Sequence, residues 1–133
     1  MYVYVVVFTG VFPNIASRLR DCDNNTNGVL SLSRLAISAK HLQPISVALQ
    51  HQQHLRQLHL QENMCGDEGV RHLLDEHVTS LSSLTHLQLQ CNKLSVASVS
   101  SMVECIESKQ EKPFQVVNLS CSSSKIISKN YLL

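Results

Sequence analysis

Two stretches of this chain align without a gap. "LRQLHLQEN", Leu55 to Asn63, and "LTHLQLQCN", Leu84 to Asn92, both read LxxLxLxxN. Alternation over the LxL step is the signature of a half-buried strand, with the leucines on one face and the residues between them on the other. After each asparagine the period changes. Val70, Leu73, Leu74 and His77 recur at three and four residues in one continuation, and Val99, Met102, Val103 and Ile106 do so in the other. That is helical spacing, with Asp67 and Ser95 or Ser98 as N-cap candidates. The unit is strand, turn, helix, occurring twice, at 55–83 and 84–113.

Weaker copies extend the pattern. Phe114, Val117 and Leu119 keep the apolar triplet but place Ser122 at the asparagine position. Leu32, Leu35 and Ile37 form another triplet, at a shorter interval before Leu55. Val3, Val6 and Phe8 form a third, as far before Leu32 as Leu55 stands before Leu84. The expectation is a single domain over 1–133, about five strands in all. One strand and one helix cannot cover each other's apolar faces, so consecutive units must stack on a shared core.

The motif, the unit length and the "GDEGVRHLL" stretch after Asn63 resemble the ribonuclease-inhibitor type of leucine-rich repeat. Relatives of that kind occur in innate immune receptors, small-GTPase activators and Tonsoku-like proteins. The resemblance implies an α/β solenoid, a short arc with parallel strands on the concave face and helices on the convex face. It also implies a structural role for Asn63 and Asn92, whose amides would bond backbone groups at the bend after each strand, and a polypeptide as the partner.

Residues between the strand leucines supply the expected partner-binding surface: Arg34, Gln57, His59, Gln61, Glu62, His86, Gln88, Gln90 and Asn118. On the Leu32 frame, Arg34, Gln57, His86 and Val116 make one column, and Ala36, His59, Gln88 and Asn118 the next. This set is neutral, amide-rich and able to donate and accept hydrogen bonds, which suits a protein better than a phosphate backbone or a lipid surface. With eleven basic and ten acidic residues, charge gives no argument for nucleic acid.

A competing motif overlaps the Leu32 triplet. Asp23, Asn25, Asn27, Gly28 and Leu30 fall where a calcium loop sets its ligands, turn and anchor, making a metal-dependent binding module over 23–34 the alternative function. The twelfth position is Arg34, however, where calcium needs a bidentate carboxylate, and Pro44 would interrupt the exit helix. The seven histidines lack the tight ligand pairs of a zinc site, so no metal or cofactor is expected. Cys65, His59 and Asp67 could be combined on paper, but no nucleophile motif surrounds Cys65, and no enzyme is expected.

Five cysteines without a CxxC pair point to reduced thiols and an intracellular protein, cytoplasmic or nuclear. The sequons at Asn24 and Asn118 argue mildly the other way. "MYVYVVVFTGVFP" lacks a signal peptide's basic start and is too short to span a bilayer, so it reads as a buried strand. Neither terminus resembles a polar cap. The chain is therefore expected to be a piece of a longer array, or to self-associate through its ends.

Overall fold

Alternating leucines need a neighbouring strand to satisfy their backbone, and the chain supplies one at nearly constant intervals. The computed structural model describes residues 13–24, 27–50, 52, 54–75, 83–97, 100, 116–118 and 130–132. The elements are α1 (Pro13–Asn24), β1 (Val29–Ser31), α2 (Ala39–Leu49), β2 (Gln57–His59), α3 (Gly66–Asp75), β3 (His86–Gln88), β4 (Val116–Asn118) and β5 (Asn130–Leu132). The five strands form one sheet in chain order. β1 to β4 pair in parallel, with Leu30 opposite Leu58, Leu58 opposite Leu87 and Leu87 opposite Val117. β5 runs antiparallel to β4, with Tyr131 opposite Val117.

The ladder continues past the strands. The N–H of Leu32 donates to His59 O at 2.8 Å, that of Leu60 to Gln88 O at 2.9 Å, and that of Glu62 to Gln90 O at 2.9 Å. Leu30, Leu32, Leu55, Leu58, Leu60, Leu84, Leu87 and Leu89 are all buried, so consecutive strands share one apolar layer. Each fully buried leucine contributes about 1.5–3 kcal/mol relative to exposure.

Helices cover that layer. α2 buries Leu42, Ile45, Ala48 and Leu49, and α3 buries Val70, Leu73 and Leu74. The two approach closely at Gly69, where a Cβ would lie 3.0 Å from Ala39 Cα and 2.9 Å from Leu42 Cδ1. Ser38 is the N-cap of α2, and its backbone N–H donates to His41 Nδ1 at 3.0 Å. That bond needs an unprotonated nitrogen. Burial, with Lys40 adding to it, lowers the His41 pKa from 6.5, and burial beside His86 does the same for His59. Both groups are harder to protonate folded than unfolded. Their contribution to stability is therefore complete above about pH 6.5 and is lost as the pH falls below it. The urea midpoint is expected to drop between pH 7.5 and 5.5, and less steeply in His41→Gln. A midpoint that rises on acidification would contradict this.

Several sequence expectations are corrected here. The five-unit, all-parallel solenoid is not the architecture of the described residues, which carry three helices and a mixed sheet whose last strand is reversed. The first described strand uses Leu30 and Leu32, not Leu32, Leu35 and Ile37. The reason is spacing. Leu30 and Leu32 precede Leu58 and Leu60 by almost the interval that separates Leu58 from Leu87, whereas the step from Leu32 to Leu55 is too short to hold register. α2 continues through Pro44, although proline gives up the N–H that would bond Lys40 O. Asp67 lies in the first turn of α3 instead of preceding it. The positions of Val3, Val6, Phe8, Phe114, Leu119, Ser122, His77, Val99, Met102, Val103 and Ile106 lie outside the described residues.

The expectation of uncapped ends rests on a first strand at Val3 to Phe8 that lies outside the described residues; what is described beside β1 is α1. Ile15, Leu19 and Cys22, spaced four and three apart on α1, are buried against the core. Ser17, Arg18, Arg20 and Asp21 face outward, and Arg18 NH1 donates to Ser31 O at 2.8 Å. An amphipathic helix thus packs on β1, the first strand among the described residues, and covering a strand with a helix is one established way of blunting a sheet edge.

Candidate interaction surface

The strand register arranges the residues between the leucines in columns. Val29, Gln57, His86 and Val116 occupy one, and Ser31, His59, Gln88 and Asn118 the next. Gln61 and Gln90 follow two residues beyond His59 and Gln88, and Ser33 takes the matching place after Ser31. In β1, β2 and β3 these side chains are half-buried on the open face, opposite the leucines.

Arg34 does not belong in the first column. It sits in the turn after β1 with φ +57°, matched by Glu62 at φ +58° and Cys91 at φ +57° in the following turns. Its Nε and NH2 donate to the two carboxylate oxygens of Glu62 at 2.8 and 2.9 Å. That paired hydrogen bond holds the Glu62 carboxyl below its usual range and raises the Arg34 guanidinium further. Ala36 is likewise in a turn, at φ +54°, and not beside His59. Val29, Ser31 and Ser33 take the places that the Leu32 frame gives to others. The signal for them is the near-regular step from Leu30 to Leu58, with Asn27-Gly28 as the preceding turn.

Local bonds set the character of the face. His59 Nε2 lies 3.3 Å from Gln57 Oε1, and His86 Nδ1 lies 2.8 Å from Thr85 Oγ1. His59 and His86 are in adjacent columns of adjacent strands, near enough for the charge of one to disfavour that of the other. Gln90 Nε2 donates to Gln88 Oε1 at 3.3 Å. At one end of the face Arg34 and Glu62 neutralise each other.

Asn63 and Asn92 underpin it. Asn63 Nδ2 donates to Leu32 O at 2.9 Å and Leu60 O at 2.8 Å, while its Oδ1 accepts from Leu35 N–H at 3.0 Å and Ile37 N–H at 3.1 Å. Asn92 Nδ2 donates to Leu60 O at 2.8 Å and Leu89 O at 3.0 Å, and its Oδ1 accepts from Cys65 N–H at 3.3 Å. Each buried amide therefore ties its own turn to the preceding one.

The metal and nucleophile expectations can be placed too. α1 runs through Asp23 to Asn24, and Asn27 Oδ1 is bonded to Val29 N–H at 3.0 Å, so of the described residues in the 23–34 segment the first two are helix and those from Asn27 on lead into and out of β1. Among the described residues no three His, Cys, Asp or Glu side chains gather as a metal site would require. Burial pushes the Cys65 thiol up to about 12, and its Sγ lies 3.7 Å from Ile37 O, a position for a protonated thiol. Asp67 instead accepts from Ser95 N–H at 2.8 Å and Ser95 Oγ at 2.6 Å. No helix among the described residues is long and apolar enough to cross a membrane.

No protein-family model matches the sequence, and no curated protein does. Solved structures do match in fold. One, "Leiomodin-1 Actin-Binding Site 2 (ABS2)", superposes with a TM-score of 0.58 at 11% identity over 81% of this chain. The chain covers 61% of that structure's length. At this identity the likeness is one of fold alone, and it does not place the chain in the leucine-rich-repeat family.

Proposed function

We propose that the chain is a non-catalytic module that binds a polypeptide partner across the open face of its sheet, through Gln57, His59, His86 and Gln88. The observation that carries this reading is the alignment of half-buried amides and imidazoles in register on adjacent strands. Groups of this kind both donate and accept, which fits backbone and side-chain amides. They lack the fixed positive charge that phosphates or anionic lipids call for. The similar structure is named as an actin-binding site, so actin is the first protein to offer.

A photo-cross-linking residue placed at Gln88 tests the face against one at Arg71, which is exposed on α3. Adducts with actin or another lysate protein are expected from position 88 and not from position 71. Alanine at Gln57, His59, His86 and Gln88 together should weaken capture about tenfold or more, with folding intact by circular dichroism. Adducts from position 71 alone, or undiminished capture by the quadruple variant, would rule the reading out.

A further inference from the structure

The turn that leads into β1 carries a reactive pair, Asn27-Gly28. An asparagine followed by glycine can close on itself. The next peptide nitrogen attacks the side-chain carboxamide, and glycine has no Cβ to obstruct the approach. Three observations favour that chemistry at Asn27. Its side chain is exposed to water and to solvent base. Its Oδ1 accepts from Val29 N–H at 3.0 Å, closing a ring that contains the Gly28 nitrogen, so the carboxamide is folded back toward that atom. The same bond lies within the range, about 2.7–3.1 Å, at which a fixed backbone N–H stabilises an oxygen taking up negative charge.

Asn63 and Asn92 differ on every count. Both are buried, and their Nδ2 groups, which would have to leave, are tied to the carbonyls of Leu32 and Leu60 and of Leu60 and Leu89. Met64 and Lys93 follow them, each with a Cβ beside the attacking nitrogen. The glycine after Asn27, by contrast, is one the fold requires. Gly28 has φ +71°, and a Cβ there would stand 2.7 Å from the His54 carbonyl oxygen. The residue that makes Asn27 reactive is therefore kept by backbone geometry.

We propose that Asn27 is a self-modification site, converted by water to aspartate and isoaspartate through a cyclic imide while the chain is folded. The Gly28 nitrogen gives its proton to solvent base and bonds to Asn27 Cγ, and the carbonyl electron pair moves onto Oδ1, where Val29 N–H holds it. The intermediate then collapses. The Cγ–Nδ2 bond breaks, and Nδ2 takes a proton from water and leaves as ammonia. One water opens the imide. Cleavage of the new Cγ–N bond gives aspartate on an unchanged main chain; cleavage of the original C–N bond gives isoaspartate, with an extra methylene in the main chain before Gly28. Nothing is oxidised or reduced, and the net change is amide and water to acid and ammonia. The isoaspartyl form displaces Gly28, whose carbonyl accepts from Arg56 N–H at 2.7 Å and Gln57 N–H at 3.0 Å, and so loosens β1 from β2.

The test uses the full chain, residues 1–133, incubated at mildly alkaline pH either folded or unfolded in guanidinium. Trypsin releases residues 21–34 as one peptide, and fragmentation in the mass spectrometer assigns a new acid to Asn24, Asn25 or Asn27. Asn27 is expected to convert at least as fast in the folded chain as in the unfolded one, whereas folding should slow Asn63 and Asn92 many-fold. The isoaspartyl fraction, separated by chromatography, should have a lower urea midpoint than Asn27→Asp, which carries the same charge on an unchanged main chain. Conversion at Asn27 that folding slows several-fold, or an isoaspartyl fraction as stable as Asn27→Asp, would overturn the proposal.

Discussion

Replacing Asn63 with alanine is expected to destabilise the chain by about 3–5 kcal/mol, near the top of the range for a single substitution. The side chain is 4% exposed, and its removal strands four backbone groups at once: the N–H groups of Leu35 and Ile37 and the carbonyls of Leu32 and Leu60. A buried donor or acceptor left without a partner costs about 1–3 kcal/mol, and partial relaxation or entry of water reduces the sum. Asn92→Ala should cost somewhat less, because the bond from Cys65 N–H to its Oδ1 is longer, at 3.3 Å. Urea denaturation followed by circular dichroism measures both. A loss below about 1 kcal/mol for Asn63→Ala would mean that these turns do not depend on the amide.

Gly28→Ala is expected to cost about 2–4 kcal/mol for two separable reasons. Gly28 has φ +71°, a conformation that costs an L-residue about 1–2 kcal/mol. An added Cβ would also stand 2.7 Å from the His54 carbonyl oxygen and 3.0 Å from Arg56 Cγ. The arginine can swing away, but the carbonyl is backbone. Moving it disturbs the bonds that Gly28 O accepts from Arg56 N–H at 2.7 Å and Gln57 N–H at 3.0 Å, where β1 and β2 come into register. Gly66 separates the two effects. It has φ +65° but nothing within 4 Å of where a methyl would stand, so Gly66→Ala should lose only the conformational part, about 1–2 kcal/mol. Equal losses at the two glycines would show that the crowding at His54 is relieved at no cost.

How far these features can be read from the sequence depends on where the physics is local. β2 and β3 fall within the two LxxLxLxxN stretches because alternation there coincides with burial and with a ladder partner one full unit away. β1 is harder to place because Leu30, Leu32, Leu35 and Ile37 permit two alternating frames. Only the partner strand, through Leu30 opposite Leu58, selects between them. The wrong frame moves Arg34 from a turn into a strand column and conceals Val29, Ser31 and Ser33. α1 is hidden by a better-known pattern: the calcium-like series from Asp23 competes with Ile15, Leu19 and Cys22, whose spacing already describes a buried helical stripe. Nothing local marks β5. Its direction is decided by pairing with β4, which only the folded chain reveals. The side-chain oxygens of Gln61 and Gln90, shielded from solvent and accepting no hydrogen bond, are equally invisible, since hydrogen-bond satisfaction belongs to three-dimensional surroundings and not to residue type.

The two buried asparagines have a consequence for how damage spreads. Each amide serves its own turn and the one before it, so adjoining segments are stitched together by atoms that neither could replace alone. Loosening one stitch frees main-chain groups on both sides of the seam, and a lesion at Asn63 is felt at Leu60 in its own turn and at Leu32 in the one before.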